Sequence, residues 1–346
     1  MVLKLVKELG VAYYGNLFPD RAKDDLKEMA EHGCNSVLIA MSEYDWIVWK
    51  KNIFEICKIA KEYNFTVYIN FWSWGGVFGG EAPSFFLQNN DDYRQVYSEV
   101  KGHPLSNKKA PAACFNTSKF KNYIFDAIQQ IAKKDFIDGF FWDEPHYKYT
   151  PPKSNIFTCR CKTCKKFFKT IYNKEMSNIR TDEVLEFKEN TIINFLRDIS
   201  QKVKEIDTNK KIIACVVPPP LETGISDWDK FCSSLKDLID VFSTDPYWLL
   251  YRKSLDYVEK YSRRTVELAQ KYNLESQLWC LAFMIPRKKE LQLKEAIKIF
   301  DKYGVDSIFS WCYRGAEGMS IECKNPNTVW GVIGDAYNEL KKKYAL

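Results

Sequence analysis

Two adjacent carboxylates follow a strongly apolar run near the middle of the chain. The run, Phe-Phe-Trp at 140–142, is followed directly by Asp143, Glu144 and Pro145. An apolar run that stops at acids and a proline is typical of a buried strand that emerges into a loop. Burying two acids costs considerable free energy, so their position after such a run favours a functional role. Carboxyl groups placed in this way can donate protons, accept them or attack an electrophilic carbon.

A third acid, Asp245, has the same sequence context, because it ends the β-rich run at 241–244 and precedes Pro246. Cleavage of a glycosidic bond needs one carboxyl group to protonate the departing oxygen and a second to attack the anomeric carbon or activate water. Neighbouring side chains on an extended strand point to opposite faces, so Asp143 and Glu144 cannot both face one site unless the strand has already turned into a loop. We therefore predict a catalytic set of Asp143, Glu144 and Asp245. The alternative for Asp245 is a turn, which Asp before Pro commonly opens.

Aromatic and polar side chains stand at the ends of most predicted strands. Indole and phenol rings stack on the apolar faces of sugar rings, while amides and carboxylates bind the hydroxyl groups. This placement predicts a carbohydrate substrate, and the alternative is that the tryptophans only fill the mouth of a barrel. The predicted substrate-binding residues are Asn16, Glu43, Asn70, Trp72, Trp74, His146, Tyr247, Trp311 and Arg314.

Four cysteines fall in the two longest stretches between predicted strands, with Cys114 in the first and Cys159, Cys161 and Cys164 in the second. Thiolates spaced by one and two residues direct adjacent sulfurs to one centre and bind a tetrahedral ion readily. Four thiolates leave no open coordination position, so we predict a structural zinc that holds the second stretch in place. The alternatives are a cysteine cluster without an ion and a redox pair, although no thioredoxin-like context accompanies the latter.

Short β-rich runs alternate with amphipathic helical stretches, and the alternation repeats eight times. Eight such units imply a parallel sheet closed into a (β/α)8 TIM barrel of the α/β class. We expect 1–346 to form one barrel domain with long insertions at 73–117 and 145–180, the second a cysteine-containing loop subdomain. An open doubly wound sheet is the alternative, but the turn after the first strand lacks a Gly-rich phosphate pattern. The predicted strands cover 11–16, 36–41, 66–71, 139–142, 211–217, 241–244, 277–283 and 307–311, and the predicted helices cover 21–31, 46–63, 118–134, 181–206, 226–238, 254–272, 288–303 and 328–343.

Composition excludes several other classes of protein. The chain has 51 basic and 45 acidic residues, and this small excess is spread along the sequence without the basic block that nucleic-acid binding favours. The first residues are too charged for a signal peptide, and no uncharged apolar stretch reaches the roughly 18 residues that a membrane span needs. We expect a soluble, cytoplasmic protein without nucleic-acid or membrane partners, and homo-oligomerisation stays open.

Three local segments resemble one known family, the β-galactosidases of glycoside hydrolase family 42. The segment 114–118, Cys-Phe-Asn-Thr-Ser, resembles that family's Cys-Pro-Asn-Ser-Pro stretch, and Asp143 with Glu144 stands where those enzymes have the Asn-Glu pair of the fourth strand. The segment 159–168 is similar to the family's zinc-binding cysteine loop. The resemblance implies a barrel glycosidase with Glu144 as general acid/base, and it implies zinc ligation by Cys114, Cys159, Cys161 and Cys164.

The chain departs from that family at two positions. The family's nucleophile is a glutamate that ends the seventh strand, whereas the corresponding segment here, 282–286, carries no carboxylate. Asp143 also replaces the asparagine that is expected to bind the sugar 2-hydroxyl. The second carboxylate is then expected to be Asp245, as in barrels whose nucleophile lies on the fourth strand and whose acid lies on the sixth.

Two other functions compete with the predicted glycosidase. The missing acid on the seventh strand favours a catalytically inactive carbohydrate-binding barrel. A metal-dependent lyase or hydrolase would use Asp143, Glu144 and His146 as ligands. The chain has only three histidines, and the other two, His32 and His103, lie away from the strand ends, which argues against a histidine-rich catalytic metal site.

Overall fold

The computed structural model describes residues 6–15, 17–151, 154–219 and 224–345, and its centre is a closed barrel of eight parallel strands. The strands of the described chain are β1 (Glu8–Tyr13), β2 (Ser36–Ala40), β3 (Thr66–Asn70), β4 (Arg94–Val96), β5 (Lys109–Ala113), β6 (Gly139–Trp142), β7 (Lys211–Cys215), β8 (Val241–Thr244), β9 (Glu275–Leu281) and β10 (Ser307–Trp311). Around the barrel the order is β1, β2, β3, β6, β7, β8, β9 and β10, and β10 pairs with β1 to close the ring. The predicted (β/α)8 fold is confirmed.

Helices connect the barrel strands and cover the outside of the sheet. Their buried faces follow the three-and-four spacing of an amphipathic helix, as in α4, where Phe120, Ile124, Ala127 and Ile131 are buried. The helices are α1 (Pro19–Glu31), α2 (Lys50–Glu62), α3 (Phe85–Asn89), α4 (Ser118–Ile131), α5 (Lys162–Tyr172), α6 (Asp182–Ile206), α7 (Trp228–Leu235), α8 (Leu255–Lys271), α9 (Leu291–Lys302) and α10 (Pro326–Tyr344), and a π-helical turn, Asp45–Trp49, precedes α2. None of the helices within the described ranges is long and apolar enough to cross a membrane.

The first strand begins three residues earlier than the sequence predicts. The added residues include Gly10, and a glycine within a strand often marks a place where another group approaches closely. In the structure a Cβ at Gly10 would lie 2.3 Å from the ring of Phe309 on β10, so the glycine leaves room for that ring. β1 begins at Glu8, which pairs with Ser307 of β10, and the Glu8 carboxylate accepts hydrogen bonds from the Tyr68 hydroxyl at 2.9 Å and the Lys211 ammonium at 3.1 Å. The predicted end, Asn16, lies outside the described residues.

Aromatic rings fill the interior of the barrel. Tyr68 on β3 contacts Phe309 on β10 with ring centroids 6.1 Å apart, and Phe141 on β6 contacts Trp279 on β9 at 5.2 Å. Neither pair belongs to neighbouring strands, so both contacts cross the barrel. The barrel is therefore a packed core, and any site must lie at its mouth.

The two insertions fold onto each other beside the mouth. β4 and β5 form an antiparallel hairpin in the first insertion, and α5 lies in the second. Neither the hairpin nor α3 was predicted. Gln95 joins the insertions, because its amide nitrogen donates to the Ala113 carbonyl at 3.0 Å and its oxygen accepts from Lys148 N and the Thr158 hydroxyl. Arg160 N adds a hydrogen bond to the Val96 carbonyl at 2.8 Å. These bonds place Cys114 beside the other three cysteines.

Candidate active site

The three predicted acids line one cavity of about 300 Å³ at the carboxyl ends of the strands. Asp143 and Glu144 follow β6, and Asp245 follows β8, with only β7 between them. Glu144 N donates to the Cys215 carbonyl at the end of β7 at 3.1 Å, and the Thr244 hydroxyl donates to Val216 O at 2.6 Å. The parallel register thus brings together acids that lie about a hundred positions apart in the chain.

Glu144 has a left-handed backbone, with φ at 40°. A non-glycine residue seldom adopts this conformation, and here it marks the point where the strand has turned into a loop. Because of the turn, Asp143 and Glu144 both line the cavity instead of facing opposite sides. The backbone carbonyl of Glu144 lies 2.7 Å from Nδ1 of His146, and this contact stabilises the turn.

Asp143 is enclosed on several sides and is 9% exposed. Asn70 at the end of β3 donates from Nδ2 to its Oδ2 at 2.9 Å. Gly79 in the first insertion lies against the carboxyl group so closely that a Cβ at Gly79 would stand 2.8 Å from Cγ of Asp143. Burial and the charge of Glu144 raise the pKa of Asp143 to about 8, although the hydrogen bond from Asn70 acts in the opposite direction.

Asp245 is 2% exposed, and neither of its carboxyl oxygens receives a hydrogen bond from a described donor. Burial raises the pKa of Asp245 well above its ordinary value. The charge of Glu144, a side-chain hydrogen bond from the protonated acid to Glu144, and the charge of Asp143 raise it further. Each of these effects favours the protonated form of Asp245. Asp245 can therefore deliver a proton into the cavity.

Three stacked aromatic rings form another part of the cavity wall. The ring of Tyr14, after β1, lies 5.5 Å from Trp72 and 5.1 Å from Trp311, with interplanar angles of 26° and 29°. On the side of β8 and β9, Tyr247 contacts Phe283 edge to face at 5.4 Å. Acids and flat rings thus line the same small cavity, an arrangement suited to holding a sugar ring.

Two predicted substrate-binding residues lie in the protein interior instead. Glu43 is 1% exposed, and its carboxylate accepts hydrogen bonds from Gly75 N, the Ser84 hydroxyl and Phe86 N, so it anchors the first insertion. Trp74 is fully buried, stacks on Phe71 at 4.4 Å and donates from its indole to the Met41 carbonyl at 2.8 Å. The positions of Glu43 and Trp74 therefore correct the expectation that they contact a substrate.

The other predicted binding residues divide between the cavity and its surroundings. Trp72, Tyr247 and Trp311 line the cavity. Asn70 donates a hydrogen bond to Asp143, and His146 contacts the backbone carbonyl of Glu144, so both support the acids from outside the cavity lining. Arg314 lines an adjoining cleft that shares Tyr14, Trp72 and Met319 with the cavity, and it forms an ion pair with Glu28 at 2.7 Å. Asn16 lies outside the described residues.

Several residues of the cavity lining were not predicted. Glu81, on the exposed rim, follows Gly79 and Gly80, and this Gly-Gly pair was the available sign of a tight turn before an acid. Gly80 has φ at 118°, and a Cβ there would lie 2.0 Å from Nε1 of Trp72. Phe283 stands just beyond β9 at the strand end where the family resemblance placed a glutamate. The other unpredicted lining residues are Tyr14, Leu250, Tyr251, Met319, Ser320 and Ile321.

The four cysteines of the two insertions form one cluster. Sγ of Cys114 lies 3.6 Å from Sγ of Cys161 and 3.5 Å from Sγ of Cys164, and all four sulfurs, including that of Cys159, lie within 4.8 Å of one another. Asn116 Nδ2 donates to Sγ of Cys164 at 3.3 Å. All four are free thiols, and their arrangement is compatible with a metal site.

No protein-family model and no curated protein matches the chain. Solved structures do resemble it. A family 42 β-galactosidase from G. stearothermophilus has a TM-score of 0.72 at 14% identity, over 100% of this chain and 57% of that one. A β-galactosidase from Bacillus circulans sp. alkalophilus has a TM-score of 0.72 at 12% identity, over 98% and 56%.

A third structure, the β-galactosidase from the Antarctic haloarchaeon Halorubrum lacusprofundi, has a TM-score of 0.70 at 12% identity, over 96% of this chain and 58% of that one. The chain thus spans a little over half the length of each of these proteins. Similarity at this level of identity concerns the fold. The protein has the TIM-barrel fold of family 42 β-galactosidases and other glycoside hydrolases, as the sequence resemblance predicted.

Proposed function

We propose that this protein is a glycoside hydrolase whose site is the cavity of Asp143, Glu144 and Asp245. The observation that carries the proposal is the placement of three carboxyl groups from β6 and β8 in one cavity with a stack of aromatic rings. Glycosidic cleavage needs a proton donor and a second carboxylate on either side of the anomeric carbon. The resemblance of the fold to glycoside hydrolases supports the same conclusion.

Asp245 is proposed as the proton donor. Its burial without hydrogen-bond donors favours the protonated form, so it can protonate the departing glycosidic oxygen. Glu144 is then the carboxylate that attacks the anomeric carbon or takes a proton from the attacking water. This assignment reverses the role that the family resemblance implied for Glu144. Asp143, held by Asn70, is proposed to bind a sugar hydroxyl beside Glu144.

The anomeric form of the product decides between the two routes for Glu144. Carboxyl groups about 5 Å apart act with retention of configuration, whereas a separation of about 6.5 to 9.5 Å leaves room for water and gives inversion. Proton NMR of the first product, recorded before mutarotation, reads this outcome directly.

The activity is tested on a panel of aryl glycosides and oligosaccharides with the wild type, Glu144→Gln and Asp245→Asn. We expect both variants to lose at least a hundredfold in kcat, because each removes a group that acts in the transition state. Glu99→Gln, at an exposed position outside the cavity, is the matched control and should retain wild-type turnover. Unchanged turnover in both cavity variants would remove the assignment.

A catalytically inactive sugar-binding barrel is the second candidate, favoured by Phe283 at the end of β9. Its aromatic wall would bind sugars while the acids carry out no chemistry. Calorimetry with the same sugars separates the two candidates. Saturable binding without any product over several days would favour the binding protein.

The cysteine cluster is proposed to hold a structural zinc. A tetrahedral zinc with Zn–S bonds of about 2.3 Å separates its sulfurs by about 3.8 Å, close to the 3.5 and 3.6 Å that join Cys114 to its neighbours. Donors from Asn116 and from Cys164 N, which lies 3.4 Å from Sγ of Cys161, suit negatively charged thiolates. Four thiolates would fill the coordination sphere, so the ion would fasten the two insertions and take no part in the reaction. Metal analysis of the purified protein should give one zinc per chain.

A further inference from the structure

The charged residues that line the proposed catalytic cavity are all acids. The chain as a whole has a formal charge of +6, yet the described lining of the cavity contains no Lys, Arg or His. The concentration of acids therefore does not reflect the overall composition. Asp143 and Asp245 are held toward their protonated forms, so the local negative potential of the cavity comes from Glu81 and Glu144. The four acids of the lining are Glu81, Asp143, Glu144 and Asp245.

The acids of the lining are largely without basic ion-pair partners. Glu81 lies on the exposed rim, and no described basic side chain forms an ion pair with it. Asp245 is 2% exposed and receives no hydrogen bond from a described donor; its side-chain partner is the acid Glu144, which brings no positive charge. The closest imidazole, His146, lies behind the Glu144 carbonyl, and burial lowers its pKa, so it is neutral at pH 7 and does not offset the acids. The cavity thus lacks the positive charge that would balance its carboxylates.

Six aromatic rings also belong to the lining of the cavity. The face of an aromatic ring carries negative potential and attracts a cation that lies within about 6 Å of the ring centre. Acids and ring faces around one cavity therefore favour a positively charged group over a neutral or a negative one. The rings are those of Tyr14, Trp72, Tyr247, Tyr251, Phe283 and Trp311.

We propose that the sugar bound in this cavity is an amino sugar with a free ammonium group, and that Glu81 on the rim is the residue that selects it. The inference rests on the proposed glycosidase function and names its substrate class. A volume of about 300 Å³ is at the lower end for a small-molecule pocket and suits a single sugar unit. A neutral sugar would occupy the rings but leave Glu81 without a partner, and a uronate or sulfated sugar would meet carboxylates of its own sign.

The test compares aryl glycosides that differ only in the substituent at C2, namely amino, acetamido and hydroxyl, in the gluco and galacto series and both anomers, with uronides as the anionic arm. At about pH 6 and low salt, where charge interactions are least screened, we expect kcat/KM for the best amino glycoside to exceed that of its hydroxyl counterpart at least tenfold, mainly through KM. Raising the salt to about 0.5 M should reduce this preference.

Glu81→Gln should bring the preference to about threefold or less, again through KM, whereas Glu99→Gln should leave it unchanged. Because the preference and its salt dependence are measured on the wild-type protein, the inference can be judged even without a folded variant. Turnover of neutral glycosides without any amino preference, or an equal rate with uronides, would overturn the inference and leave the glycosidase proposal intact. If no glycoside in the panel binds or reacts, the proposed function fails and the inference fails with it.

Discussion

Asp143 should make the protein less stable as the pH rises, and replacing it by asparagine should remove that loss. The pKa of Asp143 is raised from 3.8 to about 8 by burial and by the charge of Glu144. The folded protein therefore binds a proton that the unfolded chain releases between these two values. Stability from this group is present in full below pH 3.8 and is lost as the pH rises through about 8.

The size of the effect follows from the shift in pKa. Each pH unit at which the two states differ by one proton changes the free energy of unfolding by about 1.36 kcal/mol. Between about pH 5 and pH 8 the wild type should therefore lose about 3.6 kcal/mol from this one group, slightly less than three full units because Asp143 is only half ionised at about pH 8. In Asp143→Asn the amide can still accept the hydrogen bond from Asn70 and carries no ionisable proton, so the variant should gain in stability over the wild type as the pH rises.

Urea denaturation at four pH values between about 5 and 8 measures this difference. Asp135→Asn, at an exposed position, is the matched control and should follow the wild-type curve. If the curves of Asp143→Asn and the wild type run parallel within about 0.5 kcal/mol across this range, Asp143 ionises normally and the reasoning from burial is wrong.

Three further predictions follow from individual contacts. Glu43→Ala should lower the free energy of unfolding by about 3 kcal/mol, because three buried donors lose their acceptor, and Glu99→Ala should not; a stable variant with altered sugar affinity would instead return Glu43 to the binding site. Gly80→Ala should weaken sugar binding and lower the free energy of unfolding by about 1 to 3 kcal/mol, because the new Cβ would clash with the indole of Trp72 and the backbone has a positive φ. Calorimetric titration measures the first effect and urea denaturation the second. Cys164→Ser should abolish stoichiometric zinc and lower the melting temperature, while wild-type stability should fall to a similar level on treatment with a strong chelator.

The barrel was predictable because its signals are local. Each strand carries its own apolar run and each crossover helix its own periodicity, so the alternation is visible without any knowledge of contacts between distant residues. The start of β1 was predicted three residues late, and the added part of the strand contains Gly10. The role of this glycine depends on Phe309, almost three hundred positions away, whose ring occupies the space that a side chain would fill.

The candidate site was predictable only in part, for the same reason. Asp143 and Asp245 end their strands, and the geometry of a parallel barrel brings strand ends together whatever the loops do. Glu43 also follows a strand, but the first insertion folds back over it and donates hydrogen bonds to its carboxylate. No local sequence pattern near Glu43 indicates this. Trp74 follows Ser73, whose φ of 59° helps to turn the chain so that the indole enters the core. Glu81 depends on the same insertion and was missed.

A comparison of two buried acids indicates how structural and functional carboxylates differ in this protein. Glu43 and Asp245 are equally inaccessible, and burial raises the pKa of both. Glu43 receives three hydrogen bonds from the insertion that it anchors, whereas Asp245 receives none among the described residues and faces a cavity. An unsatisfied buried acid lowers stability without holding any part of the fold together, so its position is explained by what enters the cavity. Asp245→Asn should on this reasoning leave the protein at least as stable as the wild type while abolishing turnover, and a variant that unfolds instead would assign Asp245 to the structure.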